Sequence, residues 1–120
     1  MPKVTIWHNP RCSTSRTTLT LLEQHGLQPN IVEYLKTPPS AEELKATLKK
    51  LHMKPRELMR KKEALYKELG LDAEGLSDDQ LIKAMVENPI LIERPVVFFR
   101  ARAALGRPPE NVLDLFNDMG

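Results

Sequence analysis

The chain has 120 residues, 18 Lys and Arg against 16 Asp and Glu, a formal net charge of +2 and one cysteine. That length suits one domain, 41% hydrophobic residues can build one core, and a single cysteine can neither form an internal disulfide nor cage a zinc ion. No apolar run reaches the roughly 18–20 residues of a membrane helix, Met1–Pro10 lacks a signal-peptide core, and the balanced charge argues against nucleic-acid binding. The expectation is therefore a cytoplasmic protein without a nucleic-acid or membrane partner.

Lys3–His8 is short and β-branched, and reads as a first strand that Asn9-Pro10 ends. From Ser13 to His25 the pattern is helical, with Leu19, Leu21 and Leu22 in a polar surround and Gly26 as the stop. Asn30–Leu35 is a second strand candidate, so the first third is a β-α-β unit favouring a parallel pair. Ser40 with Glu43 forms a capping box for a helix to about Leu51, and Pro55 opens a shorter helix with Leu58 and Met59 turned inward. Ser77 with Gln80 caps another helix, ended by Asn88-Pro89. Pro95–Phe99 and Arg102–Leu105 read as a hairpin, and a closing helix runs from Glu110 to about Met119. The expectation is one α/β domain over residues 1–120: β-α-β, a helical insertion at about 40–88, then β-β-α, with a mixed sheet. This is the element order of a thioredoxin/glutaredoxin-like fold.

Charge is unevenly spread. Glu63 to Glu93 holds eight acids and two lysines, whereas Arg94, Arg100, Arg102 and Arg107 have no acid between the first and last. Such runs are ordinarily solvated faces. Cys12 gives these a second meaning. It lies between a strand and a helix, where unpaired N–H groups and the helix dipole favour a thiolate, with Arg11 and Arg16 adding positive charge. Ser13, Thr14 and Ser15 can donate hydrogen bonds to an anion held there.

Two cysteine chemistries fail on spacing. A phosphatase loop needs arginine six positions after the cysteine, and position 18 is Thr18. A dithiol oxidoreductase needs Cys-x-x-Cys, and the fourth position is Ser15, so any redox cycle requires an external thiol.

His8-Asn-Pro-x-Cys12-x-Thr-Ser-Arg16 resembles the active-site loop of the glutaredoxin-coupled arsenate reductase family. Tyr34-Leu-x-x-Pro-Pro-Ser40, Leu58-x-Arg60-Lys61, Asp78-Asp-Gln-Leu81, Asn88-Pro-Ile-Leu-Ile-x-Arg94-Pro95 and Arg107-Pro108 resemble that family in order and spacing. The resemblance implies a thioredoxin-like fold and reduction of arsenate to arsenite. Cys12 would be the nucleophile, glutathione the co-substrate, glutaredoxin the partner that clears the mixed disulfide, and no cofactor or metal would be bound. It implies anion binding by Arg60, Arg94 and Arg107, with Ser15 and Arg16 auxiliary. His8 would keep the thiol ionised through a proton-sharing or cationic imidazole. It also raises a cis Arg94–Pro95 peptide, against a default that is trans in roughly 95% of cases. Two alternatives remain on the same scaffold: a glutathione-dependent monothiol disulfide reductase, and an Spx-like non-enzymatic transcriptional regulator.

Overall fold

The β-branched segment Val4–Trp7 forms β1, which pairs in parallel with β2 (Asn30–Val32) and antiparallel with β3 (Val96–Phe99). The computed structural model describes residues 3–119. β3 continues through a two-residue turn into β4 (Arg102–Leu105), giving a mixed sheet in the order β2-β1-β3-β4. Arg100 occupies the left-handed region in that turn, at φ 58°. The parallel β1–β2 step is bridged by α1 (Ser13–Gln24), as a strand-helix-strand crossover requires.

Strand alternation decides which side chains meet the helices. Val4 and Ile6 of β1 lie opposite Phe99 and Val97 of β3, and these four share a core with Leu22 of α1 and with Val112 and Leu115. Val112 and Leu115 belong to the closing segment Pro109–Met119, which is a 3₁₀ helix. The alternate face carries Trp7, whose ring meets Phe98 edge-on at 5.0 Å and Tyr34 at 6.4 Å. The inner face of α1 is partly polar: its buried residues are Ser15, Thr18 and Leu22. Thr18 satisfies its hydroxyl on the Thr14 carbonyl at 2.8 Å.

The chain divides into two units, Met1–Thr37 with Arg94–Gly120, and Pro38–Glu93. The second holds α2 (Ala41–Leu51), α3 (Pro55–Leu58), α4 (Ala64–Glu68), α5 (Asp78–Glu87) and a 3₁₀ turn at Pro89–Leu91. Both expected capping boxes form. Ser40 Oγ accepts from Glu43 N–H at 3.1 Å, and Ser77 Oγ accepts from Gln80 N–H at 3.2 Å, each with the reciprocal bond. α5 packs on α2 and α3, with Leu44, Leu58, Met59, Leu81, Ile82 and Met85 buried.

The structure departs from the expected elements at β2, at α4, at the Arg107–Pro108 peptide and at the closing segment, which is 3₁₀ over Pro109–Met119 where an α element from Glu110 was expected. β2 stops at Val32 rather than Leu35, because Lys36 and Thr37 N–H both turn back to the Glu33 carbonyl. α4 had no counterpart in the sequence pattern. Both Arg94–Pro95 and Arg107–Pro108 are cis, the second without any sequence signal.

Candidate active site

Cys12 is the N-cap residue of α1, in extended conformation at φ −94°, ψ 121°. The preceding loop is shaped by Asn9, whose side-chain oxygen accepts from Arg11 N–H at 3.0 Å and whose carbonyl accepts from Cys12 N–H at 3.0 Å. The helix begins with Arg16 N–H donating to the Cys12 carbonyl at 3.0 Å. The sulfur therefore sits where an N-cap side chain meets the unpaired N–H groups of the first turn.

The thiol is held below the ordinary cysteine range by opposing influences. Burial acts most strongly and raises it. Against burial act the Ser15 backbone N–H, the hydrogen bond and charge of Arg94, and the Thr14 N–H, and together they prevail. Arg107 Nη2 also donates to Cys12 Sγ at 3.7 Å, while its Nε donates to the Arg94 carbonyl at 2.8 Å. One arginine thus grips the sulfur and the backbone of the other. Asn111 Nδ2 caps the Arg107 carbonyl at 3.0 Å and fixes that corner.

His8 reaches the cysteine indirectly. Its Nδ1 lies 2.6 Å from the Ser15 hydroxyl, which also accepts from Asn9 N–H at 3.1 Å. Ser15 is fully buried and His8 nearly so. Burial pushes the imidazole below its usual range; Glu33 opposes this and Arg16 reinforces it. Of the two forms expected for His8, the cationic one is therefore disfavoured. The ring's hydrogen bond fixes Ser15, whose backbone N–H acts on the sulfur. Arg16 donates from Nη1 to the Pro10 carbonyl at 2.9 Å, bracing the loop.

Of the residues singled out in the sequence, Cys12, Arg94, Arg107, His8, Ser15 and Arg16 all belong to the first unit. Arg60 belongs to the second, where its guanidinium is paired with Glu63 and Glu93. Proximity in sequence suggested Arg11 and Arg16 as the charges acting on Cys12; Arg94 does so instead. Asn9 and Asn111 are the organising residues that sequence reasoning passed over, and the Asn9-Pro10 turn was the available signal for the first. Among the described residues, no group of three His, Cys, Asp or Glu side chains could hold a metal ion.

The arrangement offers a nucleophilic sulfur ringed by backbone N–H groups and two guanidinium groups, which suits attack on an oxyanion while stabilising its charge. A model of the ArsC family matches residues 7–115. Over 114 residues the chain is 54% identical to the uncharacterized protein YfgD of Escherichia coli K12, covering 94% of this chain and 96% of that protein. Over 113 residues it is 50% identical to a protein of Neisseria meningitidis serogroup A named arsenate reductase, covering 93% and 97%. The solved structure of an arsenate reductase from Vibrio cholerae is similar with a TM-score of 0.93 and 52% identity, over 95% of this chain and 98% of that one.

Proposed function

The chain belongs to the ArsC family, and from that premise we propose that it reduces arsenate to arsenite at Cys12. The observation that carries this reading is the Cys12 sulfur, held below the ordinary thiol range while facing the guanidinium groups of Arg94 and Arg107. A disulfide exchange needs the thiolate alone. Two arginine forks at the sulfur suit a doubly charged oxyanion as well.

In the proposed reaction the Cys12 thiolate attacks As(V), a sulfur–arsenic bond forms, and one arsenate oxygen leaves as water after protonation. Glutathione then attacks the Cys12 sulfur. The sulfur–arsenic bond breaks with its electron pair on arsenic, which becomes As(III) and leaves as arsenite. The mixed disulfide left on Cys12 is reduced by glutaredoxin. An external thiol is required because Cys12 is the only cysteine of the chain. Arg94 and Arg107 would bind and orient the oxyanion, and Arg60 would be the third anion-binding arginine, an assignment that rests on the family resemblance. Ser15 and His8 would keep the first turn of α1 aimed at the sulfur, and Arg16 would brace the loop. The protein would act in the cytoplasm, where thiols stay reduced. Among the described residues no helix is long and apolar enough to cross a membrane.

Coupled oxidation of NADPH through glutathione reductase, glutathione and glutaredoxin tests the reading. Arsenate-dependent turnover that disappears in Cys12→Ser is the expected result. Turnover with a small mixed disulfide but none with arsenate would replace it with the monothiol disulfide-reductase reading.

A further inference from the structure

A groove of about 370 Å³ runs along the outer face of α1, and Ser13, Arg16, Thr17, Thr20, Gln24 and Glu110 are among its lining residues. Ser13, Thr17, Thr20 and Gln24 recur at helical spacing and are exposed, on the face opposite the buried Ser15, Thr18 and Leu22. Glu110 comes from the closing 3₁₀ segment, which packs on α1. All of these residues belong to the first unit, and the chain ties the groove to the sulfur from two sides. Ser13 directly follows Cys12, and Glu110 lies three residues beyond Arg107, whose Nη2 donates to Cys12 Sγ at 3.7 Å. Arg16 joins the groove to the loop: its N–H donates to the Cys12 carbonyl at 3.0 Å and its Nη1 to the Pro10 carbonyl at 2.9 Å.

Charge selects the occupant. Arg16 spends one of its five guanidinium N–H donors on Pro10, and Glu110 is exposed and enters no ion pair among the described residues. A simple oxyanion would be drawn by Arg16 and repelled by Glu110, whereas a ligand with an ammonium and a carboxylate can use both. The volume suits a small molecule, and the place beside Cys12 suits one that brings a thiol. Glutathione carries all of these groups. We propose that this groove seats glutathione, with Glu110 accepting from its γ-glutamyl ammonium, Arg16 donating to one of its carboxylates, and the Ser13 and Thr17 hydroxyls meeting its peptide groups. This rests on the reading of glutathione as the thiol donor. From that seat the glutathione thiol gives its proton to solvent and attacks the Cys12 sulfur. The sulfur–sulfur bond forms as the sulfur–arsenic bond breaks, its electron pair passing to arsenic.

The test pairs Glu110→Gln with glutathione lacking its γ-glutamyl amino group. In a Cys12→Ser background, followed by two-dimensional NMR titration, glutathione should shift the amides of α1 and of Glu110. The deamino analogue should bind about three- to fivefold more weakly than glutathione, and Glu110→Gln should bind the two equally. With Cys12 present, Glu110→Gln should raise the glutathione KM by about the same factor and leave the arsenate KM in place. Thr17→Phe, which fills the groove from α1, should raise the glutathione KM as well. Absence of binding, equal binding of the two ligands by the Glu110 protein, or a glutathione KM unmoved in both variants overturns the proposal. The two readings fail separately. Groove binding that depends on Glu110 without arsenate turnover retains the seat and removes the reductase; normal turnover with an unmoved glutathione KM does the reverse.

Discussion

At the scale of single residues, the reactivity of Cys12 is a contest between burial and three sources of positive potential. Removing one source has a definite sign. Arg94 favours the thiolate by hydrogen bond and by charge, so Arg94→Ala should move the iodoacetamide alkylation profile of Cys12 to higher pH. A profile that stays in place would show that the α1 amides and Arg107 set the ionisation without Arg94. His8 carries the opposite linkage. Its folded form resists protonation, so the unfolded chain binds more protons once pH falls through the ordinary imidazole range, and stability declines there. His8→Gln should remove that component from a plot of denaturation midpoint against pH. Persistence of the full decline would assign it to carboxylates instead. Thiolate character at Cys12 was readable from its place before a helix. Local pattern did not single out its main charged partner, because Arg94 comes to the sulfur only once β3 lies beside β1; Arg94 was named there by the family resemblance alone.

At the scale of elements, the two segments that carry the site arginines are locked together at Gly106. Its N–H donates to the Pro95 carbonyl at 2.9 Å, and a Cβ there would lie 2.8 Å from both Pro95 Cγ and Thr18 Oγ1. Thr18 is buried in α1, so the clash cannot be relieved by swinging a free side chain. Gly106→Ala should cost about 1–3 kcal/mol in chemical denaturation. It should also depress arsenate turnover, since Arg94 precedes Pro95 and Arg107 follows Gly106. Wild-type stability in that variant would reject the close-contact argument. In the other unit, Arg56 donates to Tyr66 Oη at 2.5 Å, the Leu71 carbonyl at 2.6 Å and the Ala73 carbonyl at 2.8 Å. Arg56→Met should lose about 1.5–3 kcal/mol, and Arg56→Lys should restore little, because one ammonium cannot reproduce the planar fork. Full rescue by lysine would reduce the contact to a simple charge. This network also explains why α4 was not legible in the sequence. Five residues are too few for a helical period to show, and Arg56 ties Tyr66 of α4 and the turn beyond it from outside the segment. α2 and α5 were legible because their signals are local: a capping box, and apolar residues one helical turn apart.

At the scale of the whole molecule, the count of one cysteine governs the proposed catalytic cycle. The β-α-β and β-β-α order could be read from alternation and turn residues, and so could a thiol that needs an external partner. Which arginines act on that thiol could not be read from pattern and spacing, since pairing across β1, β3 and β4 is a long-range property of the sheet; only the family resemblance named Arg60, Arg94 and Arg107. A chain with a second thiol could close an internal disulfide and release arsenite in a state ready for a general reductant. This chain must instead carry the oxidised sulfur as a bond to another molecule. With arsenate and glutathione present and glutaredoxin withheld, the protein should accumulate as a species heavier by one glutathione. Cys12 should then be resistant to alkylation, and adding glutaredoxin should return the unmodified mass. A disulfide between two copies of the chain, or an unmodified Cys12 after arsenite has been released, would reject the external-thiol cycle.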